Sequence, residues 1–458
     1  MSNHYDVIVI GAGPGGLACA TKLAGYGKKV VLVEKADIGG TCLNRGCVPT
    51  KTLMHTADLY RTLKEDTECG LCIEGVSIDY ASLKNKKEEV VSKLKDASSK
   101  GLKALKVTVL NGEATVIEPG KVVVKTENED VELTSDAIVI ATGSLPAIPP
   151  IEGVDIPTVI TSDEILSQVP SFDELIIIGG GVIGMEFASL YNSLGTKVTV
   201  LEGLPRILST MDKEISSSLS LSLKKKGVTI VTDALVSKIN QEQGKTTCTY
   251  TAKNKTETIS AQAVLLAVGR KVNLNSVLNP LPELDRGRAI VDDNMMSSIP
   301  GIYVIGDAAA GYPQLAHAAS AQGEKVAAVL AGIPYTTDLH LVPGCVYTQP
   351  EIASVGMSEQ EAKDKGLNVH VGKVPTTGNA KSVLSGDERG FIKVIADETG
   401  TLLGAQLFCS RATDMVGEFA VAIGNKLNEK QVASIIRPHP TYEESIKDAL
   451  EASIKKNK

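Results

Sequence analysis

Two cysteines in the stretch GGTCLNRGCVPTK, Cys42 and Cys47, stand among glycines and just ahead of a proline. Closely spaced thiols can hold a metal, staple a fold or exchange electrons. On an ideal helix their α-carbons would lie about 8–9 Å apart, given its rise and radius, beyond the limit of about 7 Å for a disulfide. A bridge therefore needs a distorted turn, which Gly46 and Pro49 permit, and a strained, accessible disulfide is of the labile, reactive kind. A metal site fits poorly, because no nearby His or Cys cluster completes a ligand set; no metal is expected. The other close pair, Cys69 and Cys72, has C-x-x-C redox spacing but no adjacent nucleotide motif, no following proline and no second pair to form a four-cysteine zinc set, so ordinary thiols are expected. Cys19, Cys248, Cys345 and Cys409 are solitary, and buried packing is their default.

Thiol exchange runs through the thiolate, so a proton acceptor is wanted. The chain has 6 histidines. His439, in RPHPTYEES, is held between Pro438 and Pro440 and followed by Glu443 and Glu444, carboxylates that can orient its ring. A plain surface histidine is the competing reading from spacing alone.

The elements that must position these groups are legible around them. YDVIVIGAGPGGLACATKLAGYGKKVVLVEK reads as strand, glycine turn, helix and second strand, with Gly11, Gly13 and Gly16 in G-x-G-x-x-G and Glu34 closing the second strand. Glycine there allows a tight turn and close backbone approach to a pyrophosphate on a helix N-terminus, and the acid suits a ribose hydroxyl. The design recurs in ELIIIGGGVIGMEFASLYNSLGTKVTVLEG, with Gly179, Gly181, Gly184 and Glu202 at the same spacing. Two dinucleotide sites imply an electron path between them. GGTCLNRGCVPTK directly follows Glu34, at the carboxyl end of a strand where such sheets bind ligands, so the thiols are delivered to a cofactor.

Elsewhere, a lysine-rich helix from Ser82 is expected to be a solvated face over a buried stripe of Leu, Val and Ala. ATGSLPAIPPIEG reads as a domain crossing, and AVLLAVGRKVN as a strand leaving a domain. In GIYVIGDAAAG, Asp307 follows a strand end where an acid suits cofactor hydroxyls; from about Leu341 short strands mix with helices in a separate α+β unit. At 458 residues, 43% hydrophobic and a formal net charge of -7, the composition is that of an ordinary globular protein. No run approaches the ~18 apolar residues of a membrane span, and no secretory signal is visible. Neither nucleic acid nor membrane is implied, and a cytoplasmic protein is expected.

Over essentially its full length the chain resembles the pyridine nucleotide-disulfide oxidoreductases: GAGPGG, GGTCLNRGCVPTK, ATGS, GGGVIG, GRKVN, IYVIGDAA, VYTQPEIASVG and HPTYEES occur in family order. The resemblance implies an α/β fold with two Rossmann-like dinucleotide-binding domains, for FAD and NAD, plus a C-terminal α+β dimerisation domain. The expected division is 1–146 and 272–340 for FAD, 147–271 for NAD and 341–458 for dimerisation. It implies a redox disulfide between Cys42 and Cys47, and His439 as base oriented by Glu444 rather than Glu443. FAD contacts are expected from Gly11, Gly13, Gly16, Glu34, Lys51, Gly143, Asp307 and Ala316. NAD contacts are expected from Gly179, Gly181, Gly184, Glu186, Glu202 and Gly269, with Lys51 and Glu186 both near the flavin. It implies a homodimer in which His439 of one subunit reaches Cys42 of the other.

Within the family the likeness is strongest to the branch that reoxidises dihydrolipoyl groups on proteins of 2-oxo acid dehydrogenase and glycine-cleavage systems. Glu202 would repel a 2′-phosphate, and LEGLPRIL offers only Arg206, so NAD is favoured over NADP. Arg437-Pro438, Tyr442-Glu443, AHAASAQG and FCSRATDMVGE depart from the family pattern. They bear on the disulfide used and the partner complex, not on the redox couple. The rival readings are an NAD(P)H-dependent reductase of another small disulfide, and a docking or redox-sensing flavoprotein with little turnover.

Overall fold

A computed structural model of the chain describes residues 4–65, 70, 72–387 and 389–456. Cys69 lies outside them, and Cys72 is an exposed free thiol. The first sheet holds β1 (His4–Ile10), β2 (Val30–Glu34), β3 (Thr108–Asn111), β4 (Glu113–Glu118), β5 (Lys121–Lys125) and β6 (Asp130–Ile140), in the order β3-β2-β1-β6-β5-β4. The late strand Ile302–Val304 pairs in parallel with β6, so the chain leaves this sheet and returns to it. VIVI in β1 and VVLV in β2 are fully buried, as central parallel strands covered on both faces demand.

Helix α1 (Pro14–Gly25) opens with proline at its first position, where the missing N–H costs nothing. Then come α2 (Gly40–Arg45), α3 (Cys47–Glu65) and α4 (Tyr80–Ala104). The side chain of Asp79 caps α4 by accepting from the N–H groups of Ala81 and Ser82. The lysine-rich face of α4 differs from expectation. Leu94 is exposed, whereas Lys87 is buried and donates to the carbonyl of Leu166 at 2.9 Å. A carbonyl at the end of the neighbouring helix Ser162–Gln168 takes the ammonium out of water and satisfies it.

The second sheet is wholly parallel and built from Val159–Ile160, Glu174–Ile178, Lys197–Leu201, Thr229–Val231 and Ala263–Leu266, with Glu174–Ile178 at its centre. The third is antiparallel, from Gly344–Val346 to Leu402–Phe408, and packs on the helices Ala412–Gly424 and Glu444–Lys456. The first sheet has an apolar core of its own, a second core joins the second sheet to α3 and to Val346, Ile352, Phe391 and Phe408 of the antiparallel sheet, and a third lies within the C-terminal unit. No helix among the described residues is long and apolar enough to cross a membrane.

A buried charge ties the second and third sheets' units together. Lys393, on the strand Phe391–Asp397, is 2% exposed, and its Nζ lies 2.6 Å from Oδ2 of Asp212 and 3.1 Å from Oε2 of Glu214. Asp212 also caps the helix Lys213–Lys225 by accepting from the N–H of Glu214. Burial alone would lower the lysine pKa, but the bond and charge of Asp212, with Glu214, hold it above the ordinary value. Lys393→Met strands a buried carboxylate and should cost about 3–5 kcal/mol. Calorimetry should show a clear fall in Tm that Asp212→Asn in the same chain partly reverses. An unchanged Tm for the single variant would show that the pair does not hold the units together.

Candidate active site

The two glycine turns are built alike. Gly11 (φ 102) and Gly179 (φ 109) adopt left-handed backbone, and a Cβ at either would stand 2.4 Å from the carbonyl of Ala141 or Ala267. A Cβ on Gly16 would meet the carbonyl of Gly11 at 1.9 Å, and one on Gly184 that of Gly179 at 2.0 Å. Around the middle glycines, Gly13 and Gly181, nothing lies within 4 Å. The outer glycines thus close strand onto helix, while the middle one presents bare backbone at the helix N-terminus, the cradle a pyrophosphate needs.

Both acids complete the repeat. Glu34 accepts from the N–H of Ala12 at 2.7 Å and of Ala36 at 2.8 Å. Glu202 accepts from Gly180 and, at 2.7 Å, from Leu204. Each carboxylate is fixed against its glycine turn with lone pairs left for ribose hydroxyls. Gly143 and Gly269 each follow a strand of their sheet, and the space beside both is open. Asp307 sits in a short turn after Ile302–Val304, its Oδ2 accepting from the hydroxyl of Ser144 at 2.5 Å. Arg270 donates to that hydroxyl at 2.7 Å and so links the segments after Gly143 and Gly269. Ala316 opens the helix Ala316–Ala331, which packs on α1. These features fit two dinucleotides.

The dithiol sits where one helix breaks into two. Gly46 separates α2 from α3, and a Cβ there would press the carbonyl of Thr41 at 2.9 Å. That break supplies the distorted turn the spacing required. Thr50 fastens it by donating its hydroxyl to the Gly46 carbonyl at 2.7 Å. Cys42 is half-buried, Cys47 is exposed, and the two thiols shift each other's titration. Their interaction lowers the Cys47 pKa to about 7 against the opposing effect of burial, with the Lys51 ammonium helping. The same interaction, then burial, drives the Cys42 pKa up. The pair thus favours the thiolate on Cys47 over Cys42.

Lys51, one turn along α3 from Cys47, has its Nζ 2.7 Å from Oε2 of Glu186 and 4.4 Å from the centroid of the Tyr347 ring. Oε1 of Glu186 accepts from the Tyr347 N–H at 3.0 Å. Glu186, in the helix after the second glycine turn, is thus turned to the thiol side through Lys51. Sequence reasoning passed over Tyr347, Ser144 and Arg270. Each lies in a motif whose signal was only the family order of VYTQPEIASVG, ATGS and GRKVN.

His439 stands apart, in the third unit, 71% exposed at its side chain. Its Nδ1 is 3.0 Å from Oε1 of Glu444, whose Oε2 accepts from the Thr441 N–H at 3.0 Å. That N–H and the histidine hold the Glu444 pKa below the usual carboxylate range. Glu444 and not Glu443 stands against the ring, at its Nδ1. Among the described residues no group of three His, Cys, Asp or Glu is arranged to hold a metal.

Residues 5–323 match the family described as pyridine nucleotide-disulphide oxidoreductase, and residues 342–450 match its dimerisation domain. The chain belongs to the pyridine nucleotide-disulphide oxidoreductases. It is 37% identical to a dihydrolipoyl dehydrogenase of Geobacillus stearothermophilus, over 98% of this chain and 96% of that one. It is 36% identical to one of Bacillus subtilis (strain 168), over 99% and 98%. Among solved structures it is similar to the HOCl-induced flavoprotein disulfide reductase RclA from Escherichia coli, with TM-score 0.86 and 28% identity, over 98% of this chain and 99% of that one. RclA has also been solved as a Cu(II) complex, with TM-score 0.87 and 27% identity. In this oxidoreductase the contrast between its glycines is testable. Gly16→Ala puts a carbon against backbone that cannot yield, and should lower Tm and cofactor retention together. Gly13→Ala enters open space and should keep Tm while weakening retention of the first dinucleotide, read by bound-nucleotide absorbance after gel filtration. Equal Tm for the two variants would contradict this division of labour.

Proposed function

We propose that the chain is a dihydrolipoyl dehydrogenase, oxidising dihydrolipoyl groups and reducing NAD. The observation that carries this is the placing of Cys42 and Cys47 at the break between α2 and α3, with Lys51 one turn along and held by Glu186 at 2.7 Å. The first glycine turn with Glu34, Lys51, Gly143, Asp307 and Ala316 would hold FAD, which would supply two-electron redox chemistry between the dithiol and NAD. NAD is held by Gly179, Gly181, Gly184, Glu202 and Gly269, with Glu186 at the junction. Glu202 favours a 2′-hydroxyl over a 2′-phosphate.

The protein's own residues handle the sulfur and the proton. With Cys42 and Cys47 joined as a disulfide, His439 of the other subunit, held by Glu444, takes the proton of one substrate thiol. The substrate thiolate attacks Sγ of Cys42, the Cys42–Cys47 bond breaks, and Cys47 departs as thiolate, stabilised by Lys51. The second substrate thiol attacks the mixed disulfide, its proton passes to Cys42, and the cyclic disulfide leaves. Two electrons now reside on the cysteine pair, His439 carries one proton and Cys42 the other.

In this reading residues 1–146 and 272–340 form the FAD-binding domain, 147–271 the NAD-binding domain and 341–458 the dimerisation domain. The enzyme works in the cytoplasm as a homodimer on lipoyl-bearing proteins of 2-oxo acid dehydrogenase or glycine-cleavage systems. The test is anaerobic turnover of dihydrolipoamide with NAD, followed by NADH absorbance. The parent should turn over briskly, Cys42→Ser should lose dithiol turnover, and His439→Gln should lose ~10²–10⁴-fold, the usual worth of a general base. Turnover only with glutathione disulfide and NADPH would overturn the substrate and the nucleotide together.

A further inference from the structure

Two departures from the family pattern, Arg437 before the histidine and the stretch FCSRATDMVGE, meet in the fold. The Arg437 side chain is 6% exposed and its Nη2 pairs with Oε1 of Glu418, the last residue of that stretch. It also donates to the carbonyls of Val432 at 3.3 Å and Ile435 at 3.1 Å. Glu418 lies in the helix Ala412–Gly424, whose first turn is fastened by Glu351, accepting from the Thr413 N–H at 3.0 Å and its hydroxyl at 2.7 Å. Around Arg437 the side chains face outward: Ser434, Ile435, Ile436, Pro438 and His439 are all exposed, Ile436 at 95%. Downstream, the Thr441 carbonyl accepts from Nδ2 of Asn379 at 2.9 Å. Arg437 is thus the one buried peg between Ala433 and His439.

We propose that Arg437, clamped by Glu418, is a positioning residue that fixes the His439 segment so that the base meets the dithiol of the second subunit in one orientation. Glu444 sets how the ring turns on its own backbone, while Arg437 sets where that backbone stands. This rests on the reading of His439 as the base. A displacement of about 1 Å of a catalytic group can cost ~10²-fold. One guanidinium that pairs with Glu418 and also reaches the carbonyls of Val432 and Ile435 is hard to mimic with a point charge, so lysine should restore only part of the function.

The experiment compares Arg437→Met, Arg437→Lys, Glu418→Gln and His439→Gln as FAD-loaded dimers. It measures kcat and KM for dihydrolipoamide with NAD, NADH oxidation by ferricyanide, which needs no thiol base, and mass by light scattering. Arg437→Met should lose ~10²-fold in kcat, with little change in KM, ferricyanide reduction or dimer mass. Arg437→Lys should recover part, and Glu418→Gln should fall about tenfold as charge assistance is lost. A parent-like kcat in Arg437→Met overturns the proposal, as does a fall shared equally by ferricyanide reduction. Should that variant fail to assemble, Glu418→Gln decides, and a parent-like kcat there overturns it. A parent-like His439→Gln would instead sink the base reading itself.

Discussion

The interaction between the thiols of Cys42 and Cys47 lowers the pKa of Cys47 to about 7 and raises that of Cys42, so the pair favours a thiolate on Cys47. Without it, burial would push both thiols up and leave neither ready to react. The interaction exists because Gly46 breaks one helix into α2 and α3, bringing residues together that a continuous helix would hold apart. Lys51 then biases the proton, since it sits on Cys47's own helix and is anchored by Glu186 from the second unit and Tyr347 from the third. Residues from three units converge on one charge. This explains why a lysine that could have been a solvent-facing helix residue is only partly exposed and held by two partners.

The rest of the fold serves delivery to and from that pair. The two glycine turns repeat each other down to the carbonyl that each third glycine would strike, and both acids are pinned by the N–H after the first glycine. Such duplication places one dinucleotide on each parallel sheet, at the edge where strands end. The junction between them is polar and fixed: Ser144, Arg270 and Asp307 form a short hydrogen-bonded chain. The third unit carries His439 on an exposed segment, and in the proposed reading a second subunit brings its dithiol to that histidine. The match of residues 342–450 to a dimerisation domain agrees with that geometry.

Much of this was legible in the sequence because the signals were local. A G-x-G-x-x-G between a buried strand and a small-residue helix has few other uses, and its repetition with the acid at equal spacing strengthened each copy. The turn at Gly46 was legible only as a condition, since a Cys42–Cys47 bridge needs a distorted turn that Gly46 and Pro49 permit, and Glu444 was separated from Glu443 only by family likeness. What stayed hidden was long-range. Nothing local tells that Lys87 caps a helix from another unit, that Lys393 is buried beside Asp212, or that Tyr347 lies under Lys51. Arg437 and Glu418 were each visible as oddities, but their pairing across 19 positions needed the fold.

The most direct test is the pH titration of the thiolate in the reduced, flavin-free protein, read by ultraviolet thiolate absorbance against a Cys47→Ser reference. Because the Cys47 pKa is lowered, the thiolate signal should appear as pH rises through about 7, and Cys42→Ala should move that midpoint upward. A single thiolate appearing only near the ordinary cysteine pKa of ~8.5, unaltered by Cys42→Ala, would contradict the account.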